Sequence, residues 1–243
     1  MQLVGILLYL RYHHPDCLLS FLFGIPRRSW CRYRKSIIKT LAENLQQFIT
    51  LSTYQNRLRE GTKVLGKPVT LIIDGFEKCV TKSTQKKWES ITWSQKKKQN
   101  SFNTIIMVSP LTKRIRFMSK PQGGSKDDNS IVKDELENIN KWLCDEDIII
   151  GDEGFNGLEY LKIHTIPNRS SQSGVRKNFN EKRALVENAI CDLRDWKFMQ
   201  DRLKCFISDG TTFESQRNMY HESLIIIASI NYMKVNEKNL SCM

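Results

Sequence analysis

The clearest hydropathy pattern in the chain is an apolar run that stops at an acidic residue beside glycine, and it occurs twice. Residues 69–73 lead directly into Asp74, and residues 148–150 lead through one glycine into Asp152. Strands with a near-continuous apolar run are buried on both faces, as in the parallel part of a mixed sheet. If the two strands lie side by side, Asp74 and Asp152 come together at one edge of the sheet.

The remaining pattern predicts a mixed α/β architecture. The segments SITWSQ, NTIIMVSP and RIRFMSK are typical of short strands separated by turns, which predicts an antiparallel meander. From about residue 181 the chain is helical, and its apolar stripe contains Val186, Ala189, Ile190 and Leu193. SLIIIASINYM predicts a helix that closes the core. The opening MQLVGILLYLRYHH is too short to span a bilayer and is predicted to be a core helix.

The N-terminal segment DCLLSFLFGIPRRSWCRYRKSIIKTLAENL predicts two helices around a turn, because Gly24 and Pro26 interrupt the pattern. On the second helix, one predicted apolar stripe contains Trp30, Tyr33, Ile37 and Leu41. The opposite face carries Arg28, Arg32, Lys35 and Lys39. This face is either a solvated surface or the basic side of a helix-turn-helix that lies against DNA.

Composition and charge favour a polyanionic partner. The chain has 243 residues with 40% hydrophobic content, enough for one sizeable domain and a small addition. Its 38 Lys and Arg outnumber 26 Asp and Glu, so the formal charge is +12. Nucleic acid is the leading partner, ahead of an anionic membrane. The seven cysteines form no C-x-x-C pair, which argues against a zinc ribbon or a disulfide scaffold.

The two aspartates indicate a cation site. Carboxylates held close together repel unless a proton or a cation lies between them. Mg²⁺ prefers a few carboxylate oxygens and keeps the rest of its shell for water and phosphate. On the predicted helix, Glu187 lies at the edge of the apolar stripe, with Arg183 and Arg194 on nearly the same line. The arrangement is either a surface ion pair worth roughly 0.3 kcal/mol, or a third metal ligand with basic neighbours for phosphate.

Five segments in order resemble one known family. IIDG, GDEGF and RALVENAI are similar to the three acidic signatures of the DDE transposase superfamily, in particular the Harbinger-like DDE endonucleases of eukaryotic DNA transposons. Thirty-five positions separate Asp152 from Glu187, which agrees with that family. TWSQKKKQNSFNTIIMVSP resembles its W-S-x-x-K-x-x-N-x-x-K segment, and QGGSKDDNSI resembles its G-G-x-x-S-D or G-G-x-x-H-D turn.

The resemblance implies an RNase H-like α/β fold, in which a mixed five-stranded sheet flanked by helices carries the acids. The DDE endonuclease domain is expected at residues 67–235, preceded by a small all-α helix-turn-helix DNA-binding region at residues 1–60. By this match Asp74, Asp152 and Glu187 are the catalytic residues, and they bind Mg²⁺ or Mn²⁺, with two ions expected. Asp128 matches the family's turn aspartate and is expected to be structural or to support the metal ligands.

The implied function is a metal-dependent DNA endonuclease and transposase, which hydrolyses phosphodiester bonds at transposon ends and catalyses strand transfer. Contacts to double-stranded DNA are assigned to basic residues of two predicted helices, namely Arg27, Arg28, Arg32, Lys35, Lys39, Arg183 and Arg194. A nuclear location, a Myb-like accessory protein and a homo-oligomer are implied by the family alone. No membrane association is expected.

Two departures from the family pattern keep alternatives open. Asn188 stands where the family usually has arginine, and FEKCV follows IIDG in place of threonine and a short apolar stretch. Neither departure replaces any of the three predicted acids. The main alternative is a domesticated descendant that binds DNA or another protein without cutting. A general RNase H-like nuclease acting on RNA or hybrids would share the fold and the metals.

Overall fold

An all-helical N-terminal part precedes alternating strands and helices in the computed structural model, which describes residues 2–64, 67–83, 85–159, 163–165, 173–203 and 212–240. The helices are α1 Gln2–Tyr12, α2 Asp16–Leu22, α3 Arg27–Leu45, α4 Tyr54–Arg59, α5 Lys86–Thr92, α6 Asp128–Asp134, α7 Leu136–Asn140, α8 Ser173–Arg194, α9 Lys197–Gln200 and α10 Phe213–Leu240. The strands are β1 Thr62–Val64, β2 Lys67–Val69, β3 Leu71–Cys79, β4 Trp93–Ser94, β5 Gln99–Val108, β6 Ile115–Met118, β7 Gln122–Gly123, β8 Ile149–Gly151 and β9 Ile163–Thr165. Short 3₁₀ helices cover Gln46–Phe48 and Glu153–Phe155.

The central sheet is mixed, with β3 in its middle. β5 pairs antiparallel with β3 on one side, and β8 pairs parallel with it on the other. β9 follows β8 in parallel, and β4, β6 and β7 pair antiparallel with parts of β5. An antiparallel meander that continues into parallel strands, with helices over both faces, is the predicted RNase H-like arrangement. The predicted fold class is therefore confirmed.

Strand β3 contributes to two separate cores, one on each face of the sheet. Ile72 and Phe76 belong to a core shared with α3, α8 and α10, whereas Leu71 and Ile73 belong to a second core under α6 and α7. Side chains alternate between the two faces of a strand. Asp74 therefore points to the face of the sheet that is covered by α8. Gly75, the next residue, lies with its α-carbon towards the face covered by α6.

Strand β3 extends beyond the apolar run and past Asp74, and it continues to Cys79. It continues because β5 pairs with it along its whole length, with Asp74 opposite Ile106 and Cys79 opposite Ser101. β8 ends at Gly151. Asp74 thus lies where its parallel neighbour stops, and this leaves one edge of β3 open beside it.

The strand predicted in SITWSQ begins later than expected. Residues up to Thr92 belong to helix α5, and only Trp93 and Ser94 pair with β5. Asn100 of β5 donates from Nδ2 to the carbonyl oxygen of Glu89 at 3.1 Å. This long-range hydrogen bond helps to hold the segment as a helix against the sheet.

The N-terminal helices pack into the same core as the sheet. α2 and α3 are connected by residues 23–26, with Gly24 in the left-handed region at φ 62°. Leu10 of α1 and Ile38 of α3 are buried in the cluster that contains Leu224 of α10 and Ile72 of β3. The predicted boundary between residues 1–60 and 67–235 stays a prediction. In the part of the chain that the structure describes, no helix is both long and apolar enough to cross a membrane.

The buried side of α3 differs from the predicted stripe. Arg34 is buried, whereas Tyr33 is 38% exposed. The Arg34 guanidinium donates to Asp16 at 3.1 Å and lies 4.4 Å from the ring centroid of Tyr9. Because its charge is paired and its plane covers an aromatic ring, arginine can occupy a core position.

A buried ion pair connects α4 to the start of β8. Arg57 and Asp147 are each 1% exposed. Arg57 Nε donates to Asp147 Oδ1 at 3.0 Å, and Nη2 donates to Oδ2. Thr70 also donates to Asp147 Oδ1, at 2.7 Å. Burial opposes ionisation of Asp147, but the hydrogen bonds from Arg57 and its other donors outweigh it and lower the pKa of this carboxyl.

Replacing Arg57 should be strongly destabilising, because it leaves the Asp147 carboxylate buried without its cation. We expect Arg57→Met to lower the free energy of unfolding by about 3–5 kcal/mol, measured by urea denaturation at pH 7. Arg59→Met is the control, since Arg59 is exposed on the same helix and should change stability by less than about 0.5 kcal/mol. Equal losses in the two variants would contradict the importance of the ion pair.

Candidate active site

Asp74 and Asp152 come from neighbouring strands and lie at the edge where β8 ends. The parallel register pairs Ile72 with Ile150, and the same offset relates Asp74 to Asp152. Asp152 precedes a 3₁₀ helix, and its Oδ1 accepts a hydrogen bond from the Gly154 N–H at 2.9 Å. The negative charge of Asp152 also acts on Asp74, so the structure brings these two predicted acids together.

Asp74 is largely buried and its ionisation is disfavoured. Burial, with additional repulsion from Asp152 and Asp128, raises the pKa of Asp74 from 3.8 to about 6. A hydrogen bond from the Gly75 N–H at 2.8 Å and the positive charge of Arg183 partly oppose this rise. A carboxyl group perturbed by burial and by like charges is a typical functional-site residue.

Asp128, the first residue of α6, approaches the same part of β3 from the α6 side. Its Oδ1 accepts a hydrogen bond from Asn103 Nδ2 at 2.7 Å. Burial, together with the charges of Asp152 and Glu77, raises the pKa of Asp128, while Asn103 and the charge of Lys96 oppose the rise. The structure thus adds a third aspartate to the two on the strands. These three residues form the aspartate cluster: Asp74, Asp128 and Asp152.

Glu187 is an exposed residue of α8, the helix that packs against β3. α8 packs on the sheet through Val186 and Ile190, which are buried. The Glu187 carboxylate is 3.3 Å from Arg183 Nε, and the Glu187 side chain is 55% exposed. Arg183 is close enough to Asp74 to affect its pKa. Among the described residues, no three His, Cys, Asp or Glu side chains are already arranged to hold a metal ion, and this includes the aspartate cluster. Glu187 is paired with Arg183.

The donor atoms at this site suit a hard divalent cation. The aspartate cluster presents carboxylate oxygens, which are the ligands that Mg²⁺ and Mn²⁺ prefer. Burial and mutual repulsion raise the pKa of Asp74 and that of Asp128, and a bound cation would relieve this repulsion. In donor chemistry, these residues therefore fit the predicted metal.

The basic residues predicted to contact DNA all lie on the surface. Exposure of the basic group is what a contact to phosphate requires. Lys39 has an exposed partner in Glu43 at 3.9 Å, and such a surface pair is weak enough to be exchanged for phosphate. The exposed set comprises Arg27, Arg28, Arg32, Lys35 and Lys39 of α3, and Arg183 and Arg194 of α8.

Sequence reasoning missed the residues that shape the aspartate cluster. A Cβ at Gly75 would lie 2.6 Å from Asp128 Oδ1, and a Cβ at Gly154 would lie 2.9 Å from Asp152 Oδ1. Glycine next to an acid, as in IIDG and GDEGF, was the available signal for this close approach. The role of Asn103 carries no such local signal, because it depends on how β5 lies beside α6.

The fold and the aspartate cluster together indicate an RNase H-like nuclease. Residues 73–212 match the model of the family described as DDE superfamily endonuclease. The match covers more than half of the chain and includes Asp74, Asp128, Asp152 and Glu187, so this chain belongs to the DDE superfamily endonucleases. No curated protein matches the chain significantly. The family supports a nuclease or transposase type of function.

The perturbed Asp74 makes a prediction for stability against pH. Its folded pKa of about 6 exceeds the ordinary 3.8, so the folded state binds the proton more tightly and loses stability as pH rises from about 4 to 6. In EDTA, Asp74→Asn should raise the free energy of unfolding at pH 7 by up to about 3 kcal/mol. At pH 3.5 the same substitution should change the free energy of unfolding little. Urea denaturation at both pH values measures this, with Glu153→Gln, an exposed neighbour of Asp152, as the control. A gain that is the same at both pH values would contradict the prediction.

Proposed function

We propose that the chain is a divalent-metal-dependent DNA endonuclease of the transposase type, which cuts phosphodiester bonds at transposon ends and catalyses strand transfer. The observation that carries the proposal is the meeting of Asp74 and Asp152 from adjacent parallel strands, in a chain of the DDE superfamily endonuclease family. The formal charge of +12 on the whole chain supports a polyanionic substrate.

The three predicted acids act from different positions. Asp74 and Asp152 are adjacent and would hold the metal together with Glu187, whose carboxylate pairs with Arg183 in this structure. Arg183, whose positive charge acts on Asp74, would be placed to hold a phosphate oxygen of a bound DNA strand. Bound divalent ions supply the activation of water and the stabilisation of the leaving 3′ oxygen.

The contact between the protein and the DNA backbone is proposed for α3 and α8. In this proposal α2 and α3 act as a helix-turn-helix, and the exposed face with Arg28, Arg32 and Lys35 contacts phosphates. Lys96, whose charge reaches Asp128, extends the basic surface to the edge of the aspartate cluster. A DNA strand that contacts these basic side chains would pass close to the aspartate cluster.

Nicking of supercoiled plasmid DNA tests the catalytic proposal. With Mg²⁺ or Mn²⁺, we expect Asp152→Asn and Glu187→Gln each to lower the nicking rate by on the order of 100-fold, because each removes a group that stabilises charge in the transition state. Glu153→Gln and Glu181→Gln are the matched controls, since each is an exposed acid near one of the two sites and should retain the rate.

Three other results would change the assignment. Metal-dependent cleavage that survives Asp152→Asn would show that the active site lies elsewhere. DNA binding without cleavage would favour a domesticated DNA-binding or protein-interaction factor, and the observation that favours this second candidate is the ion pair between Arg183 and Glu187. Preferential cleavage of an RNA–DNA hybrid would favour a general RNase H-like nuclease.

Binding of duplex DNA by α3 makes a separate prediction. Arg28→Ala combined with Arg32→Ala should weaken binding and reduce the slope of log K against log salt by about 2, because two phosphate contacts are lost. Fluorescence anisotropy at several salt concentrations measures this slope. Lys133→Ala with Lys141→Ala removes the same charge from exposed positions on another part of the surface. An equal change in both double variants would assign the effect to net charge.

The cellular setting is proposed by analogy with the family. We propose a nuclear protein that acts on double-stranded DNA with a Myb-like accessory protein and as a homo-oligomer. Light scattering of the chain alone and with DNA would measure the oligomeric state, and a monomer in both conditions would contradict this part of the proposal.

A further inference from the structure

We propose that Asp128 is itself a metal ligand, which binds the divalent ion together with Asp152. This inference rests on the proposed metal-dependent function and adds a fourth acid to the three predicted ones. It also differs from the expectation that Asp128 is structural or only supports the metal ligands.

The Asp128 carboxylate lies between the two segments that carry the other aspartates. A Cβ at Gly75, the residue after Asp74, would lie 2.6 Å from Asp128 Oδ1. A Cβ at Gly154 would lie 3.7 Å from Asp128 Oδ2 and 2.9 Å from Asp152 Oδ1. Because one point is this close to oxygens of two aspartates, both carboxylates border the same small volume. Glycine at both positions leaves that volume open.

Asp128 is not required to cap the helix that carries it. Asp127 is the N-cap of α6, and its Oδ1 accepts from the Ser130 N–H at 2.9 Å. Asp128 accepts one hydrogen bond from Asn103 at 2.7 Å. A carboxylate has about four acceptor positions, so Asp128 is oriented by this bond and retains capacity for a cation. Its place at the start of α6, beside β5, sets the direction of the carboxylate.

Asn103 provides a second observation that points to a ligand. The side chain is only 5% exposed and is directed at Asp128. Its Oδ1 is buried and has no hydrogen-bond partner among the described residues. A buried acceptor without a donor costs free energy, and a hydrated cation beside Asp128 would supply the missing donor. Without a ligand, the Asn103 amide oxygen would remain without a donor.

Mn²⁺ binding to the full chain, measured by electron paramagnetic resonance of the free ion, tests the role of Asp128. We expect Asp128→Asn to weaken Mn²⁺ binding by about tenfold or more and to reduce the rise in Tm that Mn²⁺ produces in the wild type. The metal-free variant should stay folded with a Tm no lower than that of the wild type, because a buried charge has been removed.

Asp127→Asn is the matched control, because it removes the same charge one residue away at an exposed position and asparagine still caps α6. Its Mn²⁺ affinity should stay within about twofold of the wild type. Gly75→Ala is a second test that keeps every carboxylate. Its new Cβ would displace the Asp128 carboxylate, so we expect weaker Mn²⁺ binding here too.

The outcomes separate this inference from the proposed function. Equal Mn²⁺ affinity for Asp128→Asn and Asp127→Asn would overturn the role of Asp128 and leave the metal centre intact. A lower metal-free Tm with unchanged affinity would also overturn it and would assign Asp128 a purely structural role through Asn103. If the wild type binds no Mn²⁺, the metal dependence in the proposed function is wrong, and so is the role of Asp128 as a metal ligand.

Discussion

The relative position of the two acid-bearing strands depends on the buried pair of Arg57 and Asp147. Thr70, the residue before β3, donates to the same carboxylate, and Asp147 lies two residues before β8. One carboxylate therefore holds the starts of both strands. A slip of one residue would turn every side chain of a strand to the other face, and Asp74 would leave the side of Asp152. Burying a charged pair costs free energy. Here the buried pair lies at the starts of β3 and β8, whose register determines whether Asp74 and Asp152 are adjacent.

The aspartate cluster is the least favourable part of the fold in electrostatic terms. Its carboxylates are partly buried and repel one another, and the raised pKa of Asp74 reflects both effects. The flanking core compensates, because Ile72 and Ile73 on either side of the sheet are almost fully buried. The tight glycine contacts have a similar effect, since they let acids from α6 and the loop after β8 approach β3 without strain in the strands. Within β3, the buried Ile72 and Ile73 therefore stabilise the fold, whereas Asp74 belongs to the candidate active site.

The sequence predicted what depends on local pattern. Unbroken apolar runs identified the central strands, and their parallel pairing brought Asp74 towards Asp152 as expected. The stripe on α8 was predicted correctly because helical periodicity requires no partner. The sequence could not predict what depends on a distant residue, namely the extension of β3 along β5 and the burial of Arg34 by Asp16 and Tyr9. That Asp128 supports the site was expected only through the family resemblance, and no local pattern indicated it. Whether Glu187 contacts arginine or metal is a choice between side-chain conformations, which no pattern encodes.

The N-terminal helices share their core with the sheet, and this has a mechanical consequence. α3 packs against α10, and both belong to the cluster that includes Ile72, two residues from Asp74. A DNA duplex bound to α3 would therefore lie at a fixed distance from Asp74 and Asp152. The distance between the sequence being recognised and the bond being cut would be a property of the folded core, and adapting to a different spacing would require the DNA to bend.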